Sequence, residues 1–104
     1  MKRIKASEII RRGLKLLNKG HNWIKGSFKI RKGNKWYFCA VGAVDEAEFR
    51  TTRKRNYSPY RPIYWLDQVP RPYNDHPNTK WPQVREWMKA AIKLAEKAEK
   101  EHEK

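Results

Sequence analysis

Apolar positions near the start of the chain recur at helical spacing. Between residues 6 and 19, Ile9, Ile10, Leu14, Leu16 and Leu17 fall mostly three and four apart, while Arg11, Arg12, Lys15 and Lys19 take the other side. This segregation predicts an amphipathic helix. Ser7 or the residue before it is placed to cap the helix start, and Asn18-Lys19-Gly20 puts a glycine where a helix turns left-handed and stops. Gly13 weakens the middle of that helix, and close approach of another backbone would explain it.

The period then changes. Residues 23–31 and 35–39 are rich in aromatic and branched side chains, with Lys32-Gly33-Asn34 between them, which predicts a β-hairpin. Ser27, Lys29 and Arg31 alternate with Phe28 and Ile30, so one face of the first arm reads as apolar and the other as basic and exposed. From Cys39 onward, Ala40, Ala43 and Ala47 share one side of a second helix, a small-residue stripe suited to close packing. Its acids, Asp45, Glu46 and Glu48, are expected to face water or basic neighbours.

Residues 50–62 are polar, contain prolines and have no period, so they read as a loop. Ile63-Tyr64-Trp65-Leu66 fits a helix or a strand equally well, and a proline-punctuated segment follows from Val69 to Pro77. Asn78 or Thr79 suits the cap of a final helix with Pro82 in its first turn. Its apolar stripe is Val84, Trp87, Met88, Ala91, Leu94 or Ala95, and Ala98. Beyond Ala98 the sequence Glu-Lys-Glu-His-Glu-Lys has no apolar face and is expected to fray. The pattern adds up to one small α+β domain over residues 1–98, with about three helices packed on a β-hairpin or small antiparallel sheet, and a charged tail over 99–104.

Composition makes that domain feasible. A chain of 104 residues buries only roughly two thirds of the surface it exposes when unfolded. The five tryptophans and 38% hydrophobic content are enough to close a compact core. Cys39 is the single cysteine, makes no internal disulfide and reads as a small core hydrophobe within Tyr37-Phe38-Cys39-Ala40-Val41. No apolar run suits a membrane span and the lysine-rich start lacks the apolar stretch of a secretory signal, so a soluble cytoplasmic protein is expected.

Charge points toward function. The formal net charge is +14, and residues 1–62 hold 17 basic and 4 acidic side chains against 8 and 7 in residues 63–104. A basic face of this kind attracts phosphate polymers through counterion release. The sharpest candidate is the interleaving of cations with aromatics in Arg50, Arg53, Lys54, Arg55, Tyr57, Tyr60 and Arg61. Arginine pairs with phosphate and tyrosine offers a base a stacking surface, the combination that single strands and RNA loops require. A second patch combines Lys25, Lys29, Arg31, Lys32 and Lys35 on the hairpin with Arg11, Arg12 and Lys15 on the first helix. The plain alternative for both patches is a solvated surface, with the tyrosines packed back on the domain.

His21, His76, His102 and Cys39 lack metal-ligand spacing, so no metal or cofactor is expected. Asp75-His76 reads as turn chemistry ahead of a capped helix, and no glycine-rich phosphate loop, nucleophile elbow or carboxylate pair names a reaction. The chain therefore reads as non-enzymatic.

The order of segments resembles a family of small phage and bacterial proteins known as a domain of unknown function. The resemblance rests on Gly20-His21-Asn22-Trp23 with Gly26, on Cys39-Ala40-Val41-Gly42-Ala43, and on Tyr73-Asn74-Asp75 before a helix capped at Thr79. Tyr73 stands where the family usually has tryptophan, Val41 replaces the usual leucine, and the 50–62 segment is more basic than usual. The resemblance implies an α+β domain in a phage or mobile-element setting and carries no activity with it. Trp23, Gly26, Gly42, Asn74 and Asp75 would then be shared scaffold positions or, alternatively, parts of a shared pocket.

Three functions follow as expectations. The first is binding of nucleic acid, DNA or RNA, or of a nucleoprotein complex, by the hairpin face and the 50–62 segment. The second is anti-defence inhibition of a host protein such as a CRISPR effector. The third is a nucleotide sponge with a pocket around Trp23, Trp65, Tyr73 and Asn74.

Overall fold

The computed structural model describes residues 5–25, 29–52, 62–69 and 79–102. They form α1 (Ala6–Leu16), a 3-10 turn (Asn18–Gly20), β1 (Lys29–Lys32), β2 (Lys35–Phe38), α2 (Ala40–Thr52), α3 (Pro62–Asp67) and α4 (Trp81–His102). The architecture is α+β: a helical body with an antiparallel two-stranded hairpin. Among the described residues there are four α-helices where the sequence pattern predicted about three.

The body is built from the predicted apolar stripes. Helix α1 packs on both α2 and α4, and α3 closes over the same pair. Ile9 and Ile10 from α1, Ala43, Val44 and Ala47 from α2, Leu66 from α3, and Val84, Trp87, Met88, Ala91 and Ile92 from α4 form one core. Gly13 shows why α1 tolerates a poor helix former. A Cβ at this position would lie 3.0 Å from both the Cα and Cγ2 of Val44, so the two helices meet with no room for a side chain.

After α1, Asn18, Lys19 and Gly20 adopt φ of 49°, 56° and 92° in succession. At Gly20 any larger residue would be both strained and in contact with the Trp81 ring, 2.7 Å from an ideal Cβ. The reversal delivers residues 22–24 to β2. The Phe38 N–H donates to the Asn22 carbonyl at 2.8 Å and the Ile24 N–H to the Phe38 carbonyl at 3.0 Å. Trp23 thus forms a parallel bridge with Phe38. The first arm of the hairpin is accordingly shorter than the predicted 23–31, because residues 22–24 line the other edge of β2.

Several helix boundaries move for identifiable reasons. The undecided segment 63–68 is helical through Asp67: Pro62 opens α3 with a ring already set for helical φ, and Leu66 turns into the core. The indole N–H of the buried Trp87 donates to the Leu66 carbonyl at 2.8 Å and satisfies the end of that short helix. Helix α2 runs through Thr52, so residues 50–52 are helical instead of part of a loop. Lys80 precedes α4 in the cap position predicted for Asn78 or Thr79, and the Gln83 side chain reaches back to accept its N–H at 2.7 Å, half of a capping box. Cys39 is half-buried, not core. It caps α2, with its sulfur accepting the Gly42 N–H at 3.3 Å.

The start of α1 is capped from a distance. Lys5 stands at the cap position but its side chain does not cap the helix, and the Glu99 carboxylate accepts both the Ser7 N–H at 3.1 Å and the Ser7 hydroxyl at 2.8 Å. A helix N-terminus has unpaired N–H donors and partial positive charge, both of which a carboxylate answers. The helix does not stop at Ala98: α4 continues to His102 with Glu99 tied to α1.

Candidate functional site

The hairpin register decides what the basic face contains. Lys29 pairs with Phe38, Ile30 with Tyr37, Arg31 with Trp36 and Lys32 with Lys35. Cross-strand partners share a face, so Trp36 lies on the face of Lys29 and Arg31, and Tyr37 on that of Ile30 and Lys32. The Lys29 ammonium is 5.1 Å and the Arg31 guanidinium 5.9 Å from the Trp36 ring centroid. On the reverse face the Lys32 ammonium is 5.9 Å from the Tyr37 ring. Trp36 remains 39% exposed, unusual for the largest apolar side chain in a short domain.

Two features organise these cations. The Arg31 Nε–H donates to the Gly33 carbonyl at 3.0 Å, which anchors the guanidinium at the turn while its two terminal nitrogens have no partner among the described residues. Lys29 approaches Glu46 of α2 at 3.2 Å, and the same carboxylate meets Arg50 at 3.9 Å. One acid serving two cations leaves the pair net positive. It also joins the hairpin to the end of α2, so a basic track runs from Arg31 past Trp36 and Lys29 to Arg50.

Beyond Arg50 the track enters an open groove between α1 and α2. Arg12, Lys15, Leu16, Ala47, Arg50 and Thr51 line about 390 Å³ of space. The Arg12 guanidinium donates to the Thr51 hydroxyl at 3.0 Å and reaches Glu8 at 3.5 Å, whereas Lys15 has no partner among the described residues. Arg11 is taken up by Glu8 and Glu96.

Of the residues singled out from sequence, Lys29, Arg31, Lys32 and Lys35 are all exposed on the hairpin, but Lys29 and Arg31 share the Trp36 face while Lys32 and Lys35 lie on the reverse face with Ile30, and Arg50 meets Lys29 through Glu46. Lys25 stands apart. It is half-buried beyond the other edge of β2, with its ammonium 5.7 Å from the Trp23 ring. Arg53, Lys54, Arg55, Tyr57, Tyr60 and Arg61 lie outside the described residues, as do Tyr73, Asn74, Asp75 and His76. Trp36 was not singled out, because its place on the basic face depends on hairpin register. The available signal was an aromatic in the second arm at a position that a two-residue turn pairs with Arg31. Trp23 and Trp65, expected around a nucleotide pocket, pack partly buried against the core, and Trp23 meets Trp81 at 6.0 Å between ring centroids.

Among the described residues no three His, Cys, Asp or Glu side chains gather as metal ligands, and no helix is long and apolar enough to cross a membrane. No family model, curated protein or solved structure matches this chain, so the site is read from its own chemistry.

Proposed function

We propose that this chain is a non-enzymatic, phage-type basic protein of the cytoplasm that binds single-stranded nucleic acid. A base stacks on Trp36 while Lys29, Arg31 and the neighbouring cations hold the flanking phosphates. The observation that carries the reading is an exposed tryptophan flanked by two cations on an antiparallel hairpin, one of them anchored by the Gly33 carbonyl.

The magnitudes favour an incoming base. Exposed cation–π contacts contribute roughly 0.5–1 kcal/mol, whereas stacking a base on an aromatic side chain contributes about 1–3 kcal/mol. A base that displaces Lys29 or Arg31 from the ring also brings phosphates for those cations to meet, so the exchange is favourable on both counts. Duplexes keep their bases stacked internally and gain only the phosphate part.

The test is fluorescence-anisotropy titration with labelled single strands and duplexes over a series of salt concentrations. Single strands are expected to bind more tightly, and Trp36→Ala to weaken them about ten-fold, from the loss of one stacked base, while duplex affinity changes little. Equal loss for both strand types would exclude stacking. Failure of either nucleic acid to bind would redirect the search to acidic protein surfaces.

A further inference from the structure

We infer that the groove between α1 and α2 is a second binding site, for a single nucleoside monophosphate unit, with the phosphate held by Arg12, Lys15 and Arg50 and the base or sugar laid against Leu16 and Ala47. The inference rests on reading the basic surface as phosphate-binding, but it uses none of the hairpin residues.

Three observations converge on this groove. Its space of about 390 Å³ falls in the roughly 300–1,000 Å³ range of small-ligand sites. Its walls divide by chemistry, with three cations and the Thr51 hydroxyl around an apolar floor of Leu16 and Ala47, which matches a ligand with one anionic and one flat apolar end. Its positive charge is also under-compensated. Glu8 is shared between Arg11 and Arg12, and Glu46 between Lys29 and Arg50, while Lys15 faces no carboxylate among the described residues.

Helix geometry explains how the cations converge. Arg12, Lys15 and Leu16 are three and four residues apart on α1, as are Ala47, Arg50 and Thr51 on α2, so each helix presents one ridge. The bond from Arg12 to Thr51 joins α1 to α2 and places the guanidinium beside the groove. Inorganic phosphate would use the cations but not the floor, and a nucleoside the floor but not the cations. A ligand with both parts is therefore expected to bind more tightly than either.

The test is calorimetric titration of the full chain with AMP, adenosine and inorganic phosphate, on native protein and on Lys15→Glu, Lys93→Glu and Trp36→Ala. Lys15 and Lys93 are both exposed, so the first two variants carry the same charge change at the groove and on the far side of α4. AMP is expected to bind at least ten-fold more tightly than adenosine or phosphate, to lose that affinity in Lys15→Glu, and to keep it in Lys93→Glu and Trp36→Ala. Equal weakening by Lys15→Glu and Lys93→Glu, or AMP no better than phosphate, would overturn the site and leave the hairpin proposal standing. Comparing 5′-phosphorylated with 5′-hydroxyl oligonucleotides on Trp36→Ala identifies the source of the unit. Tighter binding of the phosphorylated strand marks a strand end, and AMP binding without that difference marks the free nucleotide. Absence of both refutes the inference.

Discussion

At the residue scale, positions that look unfavourable in isolation are explained by what faces them. Gly13 costs α1 helical propensity, yet a methyl group there would press on the Val44 backbone and Cγ2 at 3.0 Å. Alanine normally gains about 1 kcal/mol over glycine inside a helix, and overpacking a tight contact costs typically 1–3 kcal/mol. The steric loss wins. Gly13→Ala is expected to lower stability by about 1 kcal/mol in urea unfolding, and to cost less when introduced beside Val44→Ala, which removes the Cγ2 contact, than in the native background. An outright gain in stability from Gly13→Ala would show that the helices have room to part. Trp36 presents the opposite case, a large apolar residue left 39% exposed, which the proposed stacking role would use.

At the element scale, helix ends were the least readable feature, because capping groups need not be neighbours in sequence. Ser7 and Glu99 are joined although 92 residues separate them, and Trp87 completes α3 across a gap of 21. Periodicity gives α1 and most of α4, since both bury one stripe, but it reports nothing about a carboxylate arriving from the far end of the chain. Glu99→Ala strands a buried N–H and is expected to cost about 1–3 kcal/mol, while Glu99→Gln retains one acceptor and costs less. Thermal unfolding of both variants measures the difference. Identical behaviour of Glu99→Ala and native protein would mean that the α1 cap contributes nothing. The hairpin was legible from the change of period and the turn predicted at Lys32-Gly33-Asn34, whereas the bridge from Trp23 to Phe38 was not, because a parallel pairing leaves no local signature.

At the scale of the whole molecule, the division into a basic first part and a nearly neutral remainder is true of the sequence and misleading about the surface. On α4 the carboxylates of Glu96 and Glu99 turn toward α1, where they meet Arg11 and Ser7. Lys89, Lys93, Lys97 and Lys100 are left exposed, without ion-pair partners among the described residues. A linear count pairs those acids with the lysines; the fold assigns them elsewhere. Replacing Lys89, Lys93 and Lys97 with glutamine is expected to make the protein elute from heparin at lower salt while short single strands bind as before. A matching loss of short-strand affinity would place the strand on α4 instead of the hairpin.

The sequence by itself determined the α+β class, the amphipathic stripes of α1 and α4, the small-residue stripe of α2 and the excess of positive charge. Each of these is a local or additive property, readable from spacing and composition. Only the tertiary structure decided that Trp36 stands between Lys29 and Arg31, that Glu46 links the hairpin to Arg50, and that Arg12, Lys15 and Arg50 converge on one groove. Register and helix contact set these distances, and a sequence pattern fixes which face a residue takes but not which residue waits opposite it.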